Sequence, residues 1–158
     1  MYAPGHMALA YFSARGIQRI TGYRFNLIIV WILSILPDID LLIPNLQHRG
    51  PTHSLAAIIL VFLISYIHER KWMPYVAAFA SHALLGDYFT GNAYEVGSQL
   101  LWPINRSMIG IQLLRMGSSF EIATEITLFL IMTVLLLYNL RTTRAARAEK
   151  TAKRSSST

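Results

Sequence analysis

The sequence predicts an all-α fold: a polytopic membrane helical bundle of about five helices, the N-terminal one short, followed by a disordered basic C-terminal tail. Three observations predict it. Of the 158 residues 54% are hydrophobic and only 14% charged, a balance that soluble domains seldom show. Four apolar stretches occupy residues 25–43, 54–67, 73–89 and 122–140, and a fifth, weaker one runs from Gly5 to about Ile20. The last eighteen residues hold six of the fourteen Lys and Arg but a single acid, Glu149. The chain therefore divides into a membrane-embedded domain, residues 1–140, and a basic cytoplasmic tail, residues 141–158.

Each element has a local reason. The first stretch is rich in small residues and ends near Arg15 and Arg19. Its start lacks the basic flank and cleavage site of a signal peptide, so it is expected to stay in the mature protein. The second ends at Leu36-Pro37-Asp38-Ile39-Asp40, where proline favours an irregular helix end. The third follows Thr52 and Ser54, whose hydroxyls suit a helix N-cap. At about 1.5 Å per residue, residues 54–67 reach only ~21 Å, short of a ~30 Å bilayer core, so their ends need polar partners or neighbouring helices. Ser118 precedes Glu121 by three residues, the spacing of a capping box at the start of the last helix, which makes Glu121 a cap rather than a catalyst. The role of Glu125, one turn further in, is open. No internal repeat and no strand alternation stands out. The chain has no cysteine, which excludes disulfides and thiolate metal sites.

Lys and Arg counts orient the bundle. With the N-terminus outside and five crossings, eleven of the fourteen basic side chains fall inside and only Arg49, Arg106 and Arg115 outside. The tail then meets anionic headgroups on the cytoplasmic side; it lacks the aromatic interleaving of a nucleic-acid binder. The same arrangement carries His6, Asp38, Asp40, His48, His53, His82 and Asp87 to the extracytoplasmic end. Seven imidazoles and carboxylates at one end form a nitrogen and oxygen ligand set suited to Zn²⁺, Mn²⁺ or a similar ion. On a regular helix Asp38 and Asp40 point to nearly opposite sides, so both serve one site only if the helix unwinds there. Gly50-Pro51 forces a turn that lets His48 and His53 approach each other. His82 sits within an apolar run where an unpaired imidazole is costly. His68 falls in the basic inner loop and carries no role. Arg49 and Arg106 are the outer-face cations nearest the ligands, with guanidinium forks suited to phosphate.

Five blocks, GHMALAY, LPDID, HRGPTHS, SHALLGDYFTG and LLWPINR, spread over about residues 5–106, resemble in order the signature blocks of the membrane-bound metal-dependent hydrolases, the YdjM-like inner-membrane group. That family in turn is similar to zinc-dependent phospholipase C and the S1/P1-type nucleases. The resemblance implies a metal site using His6, Asp38, Asp40, His53, His82 and Asp87, with His48 as a further ligand or a partner behind the ligands. It implies a divalent cofactor, zinc first and manganese or magnesium next, as one to three ions. In the family pattern the aspartate follows the block histidine by four residues; here Asp87 follows His82 by five, a swing of ~140° on an ideal helix. A one-residue π-bulge, or a loosening at Gly86, restores convergence.

The expected function is that of an integral enzyme of the plasma membrane, active at the extracytoplasmic face. It would hydrolyse a phosphoester of a lipid or lipid-linked substrate by metal-activated water. His48 and Asp40 are the expected catalytic pair, and Arg49 and Arg106 would bind substrate phosphate. Two other readings come from different classes: a metal-ion transporter or sensor, which needs ligands near the midplane, and a small membrane protein whose polar cluster only meets headgroups. A homo-oligomer that completes the short middle helices is compatible with all three.

Overall fold

The computed structural model describes residues 1–155; side chains are described through residue 144, except residue 143. Among the described residues five α-helices form the fold: α1 (Ala3–Thr21), α2 (Leu27–Ile35), α3 (Leu55–His68), α4 (Met73–Ser81) and α5 (Ser119–Ser155). The apolar stretches of the sequence map onto them in order. Helix α1, expected to be short, spans 19 residues and is the second longest. Pro4 in its first turn costs no hydrogen bond there, and Gly22, with φ of 76°, ends it in the left-handed conformation. The side chain of Asn26 accepts from the Ile28 amide to start α2, and Ser54 accepts from the Ala57 amide to start α3. Ser118 Oγ accepts from the Glu121 amide at 3.1 Å, while Glu121 Oε2 accepts from the Gly117 amide at 2.7 Å. The acid expected as a cap is a cap.

Helices α1, α2 and α4 pack against one another, α5 lies along α1, and α3 leans on α4. Their interface is built of small residues: Ala10, Ala14, Val30 and Ala78 form one buried cluster, and Ala8, Tyr11 and Met132 another between α1 and α5. Small side chains let backbones approach closely, the packing that helices use in lipid. The burial pattern is inverted relative to a soluble protein. Large aliphatics lie outside, among them Ile28, Ile32, Leu60, Leu63, Ile67, Leu130 and Val134, while the fully buried set includes His6, Ser34, Asp40, His53, His82 and Asp87. Among the described residues one helical segment, Ser119–Thr142, is long and apolar enough by itself to cross a membrane, and α3 is a shorter apolar helix.

Between the α-helices a 3₁₀ turn (Arg70–Trp72) joins α3 to α4 at one end, and the other end carries most of the irregular backbone. A 3₁₀ helix (Leu36–Leu42) extends α2, a 3₁₀ turn (Pro51–His53) precedes α3, and α4 continues as a π-helical turn (His82–Gly86) and a 3₁₀ turn (Asp87–Phe89). Residues 90–118 cross the same end. Two strands of two residues each, β1 (Thr90–Gly91) and β2 (Leu114–Arg115), pair in parallel to close the loop between them. They are too short for an alternating pattern to show in the sequence. The basic segment, expected to be disordered, instead continues α5 without a break at residue 140 as far as Ser155. Its sequence, rich in Ala, Arg and Lys, favours helix. Residues 156–158 lie outside the described residues.

Candidate metal centre

Four segments deliver side chains to the irregular end of the bundle. Helix α1 begins there with His6, the 3₁₀ extension of α2 brings Asp38 and Asp40, the Gly50-Pro51 turn brings His48 and His53, and the end of α4 brings His82 and Asp87. His6, Asp40, His53, His82 and Asp87 are buried, whereas the side chains of Asp38 and His48 retain about a third of their exposure (33% and 35%) and form the open side. The six expected ligand residues are thus brought together, and His48 with them.

His53 and His82 form the centre. Their Nε2 atoms are 3.0 Å apart. Asp38 Oδ1 lies 3.4 Å from the first and 3.2 Å from the second. Asp87 Oδ2 lies 3.3 and 3.4 Å from the same two atoms. Two triangles therefore share the His53–His82 edge, with all sides between 3.0 and 3.4 Å. Ligand atoms around one tetrahedral ion with bonds of ~2.0–2.1 Å stand about 3.3 Å apart. Taken more widely, two groups each place one ligand atom per residue within 4.8 Å of one another: His6, His82 and Asp87, and Asp38, His48 and His53. The two candidate ligand groups adjoin through the two Nε2 atoms.

Hydrogen bonding on the far side of each ring makes this convergence chemically specific. His82 Nδ1 lies 2.6 Å from the carbonyl oxygen of Ser34, which can only accept, so Nδ1 carries the proton. His53 Nδ1 is 3.2 Å from Asp40 Oδ2 and 3.0 Å from Thr52 Oγ1, whose own proton goes to Asp40 Oδ2 at 3.0 Å; Nδ1 again donates. Both neutral imidazoles then turn an Nε2 lone pair toward the other and toward two carboxylates. Four electron-pair donors facing one another require a cation or protons between them. Asp87 Oδ2 is buried without a hydrogen-bond partner, as is His6 Nδ1. In the absence of a cation a proton takes its place: burial alone would lower the pKa of His53, but hydrogen bonds to Asp38 and Asp40 and the charge of Asp87 outweigh it and raise it above the ordinary 6.5. These residues fit a divalent ion.

Asp40, expected as a ligand and catalyst, occupies a different position. Oδ1 accepts from His48 Nδ1 at 3.0 Å, and Oδ2 accepts from the Arg49 amide and Thr52 hydroxyl, both at 3.0 Å, besides facing His53 Nδ1. Both oxygens are engaged behind the histidines, and neither group of converging ligand atoms includes it. The reason is the 3₁₀ geometry. Three residues per turn send residue 40 about 120° away from residue 38, so one acid meets the Nε2 side of His53 and the other the Nδ1 side. Arg49, expected to face outward toward phosphate, is buried at 3% exposure with φ of 60°. Its guanidinium lies 3.4 Å from Asp87 Oδ1 and donates to the Gly97 carbonyl at 3.3 Å, which ties the 90–118 segment to the centre. Arg106 is exposed in that segment and pairs with none of the central acids.

The five-residue step from His82 to Asp87 is absorbed by the π-helical turn His82–Gly86, which swings Asp87 back beside His82. Gly86 has a second function. A Cβ at this position would lie 2.3 Å from His6 Cε1, so the missing side chain is the space in which the His6 ring sits. That ring stacks on His82 at 3.7 Å between centroids. Sequence reasoning missed the Ser34 carbonyl and the attachment of Thr52 to Asp40. Thr52 reads as a helix cap, and a backbone carbonyl has no residue-type signal.

A helical protein with a polar, histidine- and aspartate-lined end and an aliphatic exterior is of the membrane class. The model of the YdjM inner membrane protein family matches residues 1–149, and the chain belongs to that family. The family points to a membrane location. Comparison with curated proteins and with solved structures returned no match.

Proposed function

We propose that the protein is a polytopic membrane hydrolase that cleaves a phosphoester of a lipid or lipid-linked substrate at this centre. The observation that carries the proposal is the pair of Nε2 lone pairs held 3.0 Å apart between two carboxylate oxygens. The helices alternate in direction, and the ligands gather at one end with aliphatic helix beneath, as a site served from one membrane face requires. The Lys and Arg distribution makes that face extracytoplasmic. A divalent ion, zinc by its preference for nitrogen and oxygen donors in this geometry, would supply an acidified water and polarise the phosphoryl oxygen.

The chain's own residues do the rest. His53, His82, Asp38 and Asp87, with His6 stacked behind, would hold the ion. His48 is the one histidine of the centre that is partly open to solvent, and its Nδ1–H donates to Asp40, so Nε2 is free to take a proton from water. As the water oxygen attacks phosphorus and the bond to the lipid oxygen breaks, His48 accepts the proton and returns it to the departing alkoxide. Asp40 fixes the tautomers of His48 and His53. Arg49 adds a fixed positive charge next to Asp87, and exposed Arg106 is the cation free to meet phosphate. In a phosphate-release assay over lipid phosphates, Asp38→Ala and His53→Ala are expected to abolish metal-dependent turnover, and His48→Ala to lower it 10²–10⁴-fold with metal retained. Undiminished turnover in the first two variants refutes the assignment.

A further inference from the structure

Helices α2 and α3 carry Asp38 and His53 at their site ends, yet they make almost no direct contact; each rests on α4 instead. The gap between them is a cavity of about 340 Å³ walled by Ile29 and Leu33 of α2, Val61 and Ile64 of α3, and Tyr75 and Val76 of α4. Its far end is lined by Trp72, and there Tyr75 Oη accepts from the Asn26 amide at 2.8 Å. The polar groups of the lining are Ser65, the Tyr75 hydroxyl and the Trp72 indole N–H, and no lining residue carries a charge. Leu33 precedes Asp38 by five residues and Val61 follows His53 by eight. At 1.5 Å per residue the groove therefore begins roughly 7–12 Å beneath the centre and runs away from it along the helix axes.

Resting on the reading of the centre as a lipid phosphoesterase, we infer that this cleft binds one acyl chain of the lipid phosphate whose headgroup reaches the metal centre. Two features select that occupant. The walls are apolar along their length, so they take hydrocarbon and no polar group. The two helices that form the walls also deliver the ligands, so a molecule with its phosphate beside Asp38 and His53 has its chain directed into the gap. The unpacked α2–α3 seam is an opening through which a lipid passes sideways from the bilayer without leaving it.

The test measures binding and not turnover. In detergent, a Trp31→Phe/Trp102→Phe protein retains Trp72, at the far end of the cleft, as its sole tryptophan. It is titrated with a single-chain lipid phosphate brominated along its acyl chain. Saturable quenching at one lipid per protein is expected, with at least a tenfold weaker apparent Kd in Val61→Phe and none of that loss in Leu60→Phe, a change on the exposed side of the same helix. Quenching that rises without saturation, an unchanged Kd in Val61→Phe, or a Val61→Phe protein that changes oligomeric state because a second copy fills the seam would each overturn the inference. If the double substitution impairs folding, the wild-type protein is crosslinked with a lipid phosphate bearing a diazirine at the chain end. Labelling at Trp72–Val76 supports the cleft, and labelling confined to α5 overturns it. Saturable binding without hydrolysis removes the enzymatic reading and keeps the cleft, whereas hydrolysis with unsaturable quenching does the reverse.

Discussion

Asp38 and Asp40 are two residues apart and have separate tasks. Asp38 faces the Nε2 atoms, and Asp40 holds the protons on the far nitrogens of His48 and His53. Removing a ligand and removing an orienting acid have different consequences. Asp40→Asn is expected to weaken zinc affinity 10–100-fold in a competition titration while binding persists, and Asp38→Ala to eliminate it; equal effects would contradict the division. The pH dependence follows from His53. Its pKa is raised, so its contribution to the stability of the metal-free fold is complete below 6.5 and is lost as pH rises through the higher folded-state value. A metal ion needs the opposite protonation state. Binding must expel that proton, so apparent affinity is expected to increase with pH from below 6.5 through that raised value, with proton release measurable by calorimetry in buffers of different ionisation enthalpy. Pairing of the residues was legible in the sequence because histidine and aspartate are scarce in apolar runs. Their division into ligands and supports was not, because which acid meets Nε2 and which Nδ1 is set by where the His53 ring comes to lie between them.

At the scale of elements, the centre exists because helices end irregularly at one side of the bundle. Pro37 and Gly50-Pro51 announced two of these irregularities. The third, the π-helical turn His82–Gly86, follows from the five-residue spacing only once both residues are required to meet. The parallel pairing of Thr90–Gly91 with Leu114–Arg115 had no signal, since two-residue strands express no periodicity. Gly86→Ala tests the π-helical turn. The added methyl must displace His6, and a destabilisation of about 1–3 kcal/mol is expected from overpacking, with weakened metal binding. Thermal unfolding with and without zinc measures both. A variant indistinguishable from wild type would mean that His6 does not depend on this cradle.

Among the described residues many large aliphatic side chains lie outside and the histidines and aspartates of the centre inside, in keeping with the membrane protein that composition and apolar stretches predict. Hydropathy identified the helices correctly. It did not anticipate that α1, rich in alanine, is the central helix against which α2, α4 and α5 all pack, because that role depends on small size and not on hydrophobicity. The absence of native cysteine allows a direct test of orientation. In intact cells Tyr94→Cys, in the loop at the metal-site end, is expected to react with a membrane-impermeant maleimide, and Arg70→Cys at the opposite end only after lysis. The reverse pattern would place the centre on the cytoplasmic side.

The central claim is that four side chains from three separate segments form a cation cage, and metal analysis of the intact protein tests it most directly. Purified without chelators, the wild-type chain is expected to retain at least one divalent ion per molecule, and Asp38→Ala and His53→Ala to lose it while keeping their helical circular dichroism. A folded wild-type protein that carries no divalent metal, and takes up none when zinc, manganese or magnesium is supplied, would contradict it.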